Sequence, residues 1–388
     1  AYVSLQRNQL FTATDPMSSA GLNTALRTAT RLPRRPFDAA KFGTALLRRI
    51  PPNMAHKTAI KALRYGLLPP RRQPDDRCLS IRVWEIDFAN PVGMAAGFDK
   101  DGEATNGLLA LGFGFAEAGT VTPLPQQGNP RPNLFRLEED LAVINRLGIP
   151  SPGIDVFAAN IKRLRVPQAG PVGANIGFNA ESADPLHDVV SSIGILAPLV
   201  DYLVLNVSCP NTPGMCDWQA PDKLEAFLSS AVAARGRVSG VRPPLLVKIA
   251  PDLESGHLRQ LAQIVISAGI DGVIATNTTI ARPSSLRSGN ACETGGLSGP
   301  VLFEQSLHNL RELYKLTEGR VPLIGCGGIS SGADAYAKIR AGASLIQLYT
   351  ALIYGGPGLV EDIKTSLLGH LRADGFDSLA QAVGADHR

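Results

Sequence analysis

The sequence predicts a (β/α)8 TIM barrel, an α/β fold, preceded by a small N-terminal helical extension. Three observations lead there. Short apolar runs recur eight times, at residues 92–96, 113–118, 172–176, 202–207, 245–249, 272–276, 322–325 and 344–348, and each is followed by a helical stretch. The runs are apolar throughout, as strands covered on both faces by crossover helices are. Eight such units in about 270 residues are the number and length that a closed barrel needs.

Taken in order, residues 1–36 hold five arginines, many Ser and Thr and a single acid, Asp15. Such a stretch reads as a disordered basic leader, with a transit peptide as the alternative and Met17 as a candidate start. Residues 37–70 read as two short basic helices. Phe42, Leu46 and Ile50 recur every four residues, and Pro51-Pro52 breaks that helix and opens the next. The second carries Ala59, Leu63 and Leu67 on one face, with Lys57, Lys61 and Arg64 elsewhere, and Gly66 and Pro69-Pro70 end it. An amphipathic basic pair can lie on an anionic membrane surface or pack on the main domain. Residues 71–388 are assigned to the barrel. They open with a linker and a hairpin around Ile81 to Phe88 at the barrel floor. The long gap at 119–171 calls for an inserted hairpin or lid.

Composition narrows the function classes. With 44% hydrophobic and 19% charged residues the chain is ordinary globular protein, and a net charge of +4 gives no reason to infer nucleic-acid binding. The five cysteines, at 78, 209, 216, 292 and 326, are odd in number and include no C-x-x-C pair. That argues against a disulfide framework or structural zinc and favours a reducing compartment. No H-x-x-x-H pair or acidic cluster suggests another metal. No apolar run reaches the roughly 18 residues of a membrane span, and no secretory signal peptide is visible.

In this fold the chemistry sits at the C-terminal ends of the strands. The residues found there are Gly97 to Lys100, Gly119-Thr120, Asn175, Asn206 with Cys209, Lys248, Thr276-Asn277-Thr278, Gly325 to Gly328, and Tyr349-Thr350. Asparagines and lysines gathered on one rim imply one shared ligand site. Gly299, Gly327 and Gly328 would let backbone N–H groups approach a phosphate, helped by a helix start at Ser330-Ser331. A buried Lys248 requires an anionic partner, and a flavin ring that becomes negative on reduction is one.

The stretches NPVGMAAGFDKDGE, GNPRPNLFRL, INRLG, NVSCPNT, LLVKIAPDL, ATNTT, GGLSGP, PLIGCGGISSG, RAGASLIQLYTAL and the closing GADHR together resemble the dihydroorotate dehydrogenases, from about residue 37 to the end. The helical pair resembles the membrane-associated, quinone-reducing class 2. The resemblance implies oxidation of dihydroorotate to orotate in pyrimidine synthesis. It implies FMN held by Ala95, Ala96, Gly97, Gly119, Thr120, Asn145, Asn175, Asn206, Lys248, Thr276, Gly299, Gly328, Tyr349 and Thr350. The substrate would be held by Lys100, Asn145, Asn206, Asn211, Thr212, Asn277 and Thr278, whose amides and charge suit ring amides and a carboxylate. His56 and Arg136 match positions lining the quinone tunnel, although His56 could be a plain helix-surface residue and Arg136 could pair with Glu138 or Glu139.

Cys209 falls where the catalytic base belongs. The quinone class usually carries Ser there and soluble classes Cys, so reduction of fumarate or NAD is an alternative to quinone. Phe178 in place of Lys, Pro150 in place of Asn and Met215-Cys216 in place of Leu-Arg depart from the pattern, which leaves a flavin-binding protein of low activity as a third reading. The expected location is the cytoplasmic face of a bacterial cell membrane, with peripheral attachment, or else a mitochondrial inner membrane.

Overall fold

The structure, a computed structural model, describes residues 39–70, 74–164, 170–212, 214–240 and 242–388. The expected leader at 1–36 lies outside these residues. The strands in chain order are β1 (Ile81–Val83), β2 (Ile86–Phe88), β3 (Val92–Asp99), β4 (Phe115–Val121), β5 (Leu134–Leu137), β6 (Ala142–Asn145), β7 (Val172–Ile176), β8 (Tyr202–Asn206), β9 (Leu245–Ile249), β10 (Gly272–Ala275), β11 (Gly296–Ser298), β12 (Leu323–Cys326) and β13 (Ala343–Leu348). Eight of them close a barrel in the order β3-β4-β7-β8-β9-β10-β12-β13, every pairing parallel. These are the eight runs read from the sequence, with ends shifted by a few residues. Every residue of β4, β7, β8, β9, β10 and β12 is buried, which is why their sequences do not alternate.

The floor is closed by the antiparallel β1–β2 hairpin. Val83 and Phe88 pack there with Phe115, Tyr202, Leu246, Ile274, Ile324 and Leu345. Phe115 and Tyr202 fill the bore so fully that a Cβ on Gly93 or Gly173 would lie 2.2 Å from their rings. Trp84 ties the hairpin down by donating to the Asp271 carbonyl at 2.7 Å.

The opposite end is roofed. The insertion after β4 forms the antiparallel β5–β6 hairpin, and β11, from the segment after β10, adds to β6 as a third strand. This third strand was not visible as a pattern, because three residues are too short to show a period.

The two expected N-terminal helices are Ala39–Arg48 and Pro52–Arg64, with Pro52 at the first helical turn. The second buries Ala55 and Leu63, and half-buries Ala59 and Ile60 against the core. Leu63 sits so close to Gly107 that a Cβ there would meet its carbonyl oxygen at 2.5 Å. One expectation fails. Leu67 does not continue the buried face but is 72% exposed, because the helix ends at Arg64 and Gly66 turns the chain at φ 62°. No helix among the described residues is long and apolar enough to cross a membrane.

Candidate active site

The strand ends and the roof enclose one cavity. Of the residues expected to hold a cofactor, Ala95, Ala96, Gly97, Thr120, Asn145, Asn175, Asn206, Lys248, Thr276, Gly299, Gly328, Tyr349 and Thr350 line it. Gly119 does not line it but carries Thr120 into it. Of the expected substrate residues, Lys100, Asn211, Asn277 and Thr278 line it together with Cys209 and the shared Asn145 and Asn206. Thr212 stands behind the wall, buried, with its hydroxyl 3.7 Å from the Cys209 sulfur.

A polar chain orders this wall. Asn277 donates to the Ser208 hydroxyl at 3.0 Å, and Ser208 donates to the Asn206 side-chain oxygen at 3.3 Å. Asn206 donates to Thr120 at 2.9 Å, Thr120 to Asn175 at 2.5 Å, and Asn175 to Glu117 at 2.8 Å. Gln347 donates to the other Glu117 oxygen at 2.6 Å. Both Glu117 oxygens accept, one from Asn175 and the other from Gln347, so Glu117 sets the direction of the amides and hydroxyls in this chain. Sequence reasoning missed Glu117, Ser208 and Gln347. A lone Glu inside an apolar strand, FAEAGTV, was the available signal.

Cations meet the cavity from two sides. Lys100 is half-buried and donates to the Gly97 carbonyl at 2.5 Å; desolvation lowers its pKa to about 8, against the pull of Asp101 and Asp99. Lys248, only 5% exposed, has no hydrogen-bond or ion-pair partner among the described residues. The Gln347 carbonyl oxygen is also buried without a partner. Burial pushes the Cys209 thiol up, against hydrogen bonds from Asn211 and Thr212 that hold it down.

The roof is pinned to the same residues. Asn211 donates to Asn145 at 3.2 Å, Asn145 to the Gly296 carbonyl at 3.4 Å, and Asn129 to the Asn211 carbonyl at 3.1 Å.

A family model described as dihydroorotate dehydrogenase matches residues 78–371. The chain belongs to the dihydroorotate dehydrogenase family. Curated relatives agree. The dihydroorotate dehydrogenase (quinone) of Azorhizobium caulinodans is 54% identical over 341 residues, 87% of this chain and 96% of that one. The mitochondrial dihydroorotate dehydrogenase (quinone) of Arabidopsis thaliana is 45% identical over 379 residues, 91% of this chain and 82% of that one. A crystal structure of the Eimeria tenella enzyme in complex with ferulenol superposes with a TM-score of 0.85 at 39% identity, covering 89% of this chain and 99% of that one.

The cavity fits the flavin that goes with this dehydrogenase family. Lys248 and the Gln347 carbonyl are a cation and an acceptor waiting for a polar ring. At the glycine end, a Cβ on Gly328 would lie 2.4 Å from the Phe303 Cα and one on Gly299 2.8 Å from the Ala142 Cα, so only hydrogen leaves the loop free.

The departures from the dehydrogenase pattern fall mostly outside the cavity. Phe178 is buried edge-on against Trp218, ring centroids 6.0 Å apart, and Trp218 packs on Phe227 at 5.3 Å. Met215 is fully buried. Pro150 lines the cavity.

His56 and Arg136 are not in the cavity wall. His56 donates from Nε2 to the Phe98 carbonyl at 2.7 Å, and the Phe98 ring stands edge-on to Tyr349 at 5.4 Å. Burial, then the nearby Lys100, lowers its pKa to about 4, so it is neutral. Arg136 donates to the carbonyls of Arg48, Ile50 and Leu47 at 2.7, 2.9 and 3.2 Å, closing the end of the first helix. It is not the partner of Glu138, which pairs with Arg48.

Proposed function

We propose that this protein oxidises dihydroorotate to orotate with FMN as hydride acceptor and Cys209 as base, and passes the electrons to a quinone entering beside the N-terminal helices at a membrane surface. The observation that supports the reading best is the meeting in one cavity of Cys209, the unpaired Lys248 and the side chains of Asn145, Asn206, Asn211 and Asn277.

FMN supplies the hydride acceptor. The chain supplies the rest. Lys100 spends one donor on Gly97 and keeps two for the substrate carboxylate. Asn206 and Asn277, oriented through the chain to Glu117, and Asn145 and Asn211, oriented by the roof, offer paired donors and acceptors to the ring amides. The Cys209 thiolate takes the proton from the carbon beside the carbonyl as hydride leaves the neighbouring carbon. Because burial raises this thiol, the thiolate is the minor form near neutrality, and Thr212, donating to sulfur, favours it. His56, Phe98 and Tyr349 make a contact path from the second helix to the cavity, which suits quinone access. Leu46, Met54, Tyr65 and Leu67 are exposed beside exposed Lys57 and Lys61, a composition that suits an anionic lipid surface. Either a bacterial cell membrane, on its cytoplasmic face, or a mitochondrial inner membrane provides one.

The test is anaerobic. The purified protein should be yellow, and dihydroorotate should bleach its absorbance near about 450 nm, where oxidised flavins absorb. Quinone, fumarate and NAD are then added in turn. Recovery of colour with quinone alone supports the acceptor, and a yellow protein that does not bleach refutes the substrate.

A further inference from the structure

Lys338 lies on the helix Gly332–Arg340 and is fully buried. Its ammonium donates to the Ser306 hydroxyl at 2.5 Å and stands 5.3 Å from the centroid of the Phe303 ring. No carboxylate pairs with it among the described residues. An ammonium carried into the interior with one neutral acceptor is costly, so an anion is the missing part of its environment.

Its two neighbours are the backing of the glycine loop. Ser306 accepts from Lys338 and lies 2.8 Å from the Gly327 carbonyl, to which it can donate. A Cβ on Gly327 would meet the Ser306 hydroxyl at 3.1 Å, and one on Gly328 would meet Phe303 at 2.4 Å. The front of Gly327 and Gly328 faces the cavity, so the ammonium sits one layer behind it. The aliphatic stem reaches this place by crossing β12 at Gly325, where a Cβ would press on its Cβ and Cδ at 3.2 and 3.3 Å.

We propose that Lys338 is a positioning residue for the cofactor phosphate: its buried charge behind Gly327–Gly328 makes the loop prefer FMN to the same flavin lacking the phosphate. This rests on the flavin reading above. The ionisable groups acting on Lys338 are Cys326 on β12, Glu304 and Arg311 on the helix Phe303–Leu316, and Asp334 on its own helix; burial dominates them and lowers its pKa to about 7. Asp334 is already engaged by Ser330, and Lys364, on the helix packed alongside, by Asp75 and Glu361. Protonation of Lys338 and phosphate binding therefore favour each other.

The test titrates FMN and riboflavin separately onto the full chain stripped of flavin. Lys338→Met should weaken FMN about tenfold or more, leave riboflavin unchanged, and leave the thermal midpoint of the stripped protein unchanged or raised. Lys338→Arg should keep most of the preference. In the unsubstituted chain, the ratio of FMN to riboflavin affinity should fall between about pH 7 and 9, by up to tenfold per pH unit for one linked proton. Equal loss of both flavins, or no loss, in Lys338→Met overturns the proposal. If that variant does not fold, a ratio flat across this pH range overturns it. A chain that binds neither flavin in any form refutes the flavin reading instead.

Discussion

Arg136→Ala should open the quinone half of the reaction and spare the substrate half. The guanidinium holds three carbonyls at the end of the helix Ala39–Arg48, at 2.7, 2.9 and 3.2 Å. Hydrogen bonds to a charged donor are worth about 1.5–3 kcal/mol each, and the half-exposed position of Arg136 brings three of them to about 3 kcal/mol in total. A ten-residue helix has little stability of its own, so tertiary ties decide whether it forms. A loss of about 3 kcal/mol corresponds to a roughly hundredfold rise in local opening. The Arg48–Glu138 ion pair remains but is about one-third exposed on one side and more on the other, so it compensates little. Two assays separate the halves. Stopped-flow bleaching of the flavin by dihydroorotate should keep its rate, while the KM for quinone rises. Hydrogen exchange over residues 43–50 should accelerate by about the same hundredfold. If the quinone KM rises while these amides stay protected, Arg136 touches quinone directly and the argument from helix capping is wrong.

Three further outcomes follow from the site. Cys209→Ala should stop flavin bleaching by dihydroorotate and leave FMN bound, and bleaching at the original rate would remove Cys209 as base; in the unsubstituted protein the bleaching rate should climb with pH without levelling below the ordinary thiol value of about 8.5, and Thr212→Val should move the rise higher still. On the proposed placement of Lys248 beside the flavin ring, Lys248→Met should make the flavin midpoint potential more negative, as read by dye equilibration; an unchanged potential would place Lys248 away from the ring. The pKa of His56 is lowered to about 4 on folding, so the unfolded chain binds the extra proton first, and the stability this group contributes is full above about pH 6.5 and is lost as pH falls toward 4. His56→Gln should therefore lessen acid sensitivity in urea titrations across that window, and equal sensitivity would show that His56 is not the group responsible.

How much was legible before the structure depends on the range of the interaction. Strands buried on both faces must be apolar along their whole length, so periodicity alone placed all eight barrel strands, and a general rule of the barrel then located the site at their ends. Cys209, Lys248 and Asn206 were legible for that reason: Asn206 ends a strand, Cys209 follows it, and Lys248 is the last residue but one of another. Leu67 was misplaced because helix periodicity says nothing about where a helix stops, and Gly66 stopped it early. Glu117 and Lys338 could not be assigned a role from pattern at all. Both are charged residues in otherwise unremarkable elements, and their meaning lies in partners 58 and 32 positions away, Asn175 and Ser306. Arg136 is similar: sequence offers it neighbouring acids at 138 and 139, whereas folding offers three carbonyls at and just beyond a helix end, 86 to 89 residues earlier. Local pattern follows from steric and solvation preferences that each residue carries with it. Burial of a charge is settled only when distant segments close around it, since the free energy of that charge depends on which acceptors they bring.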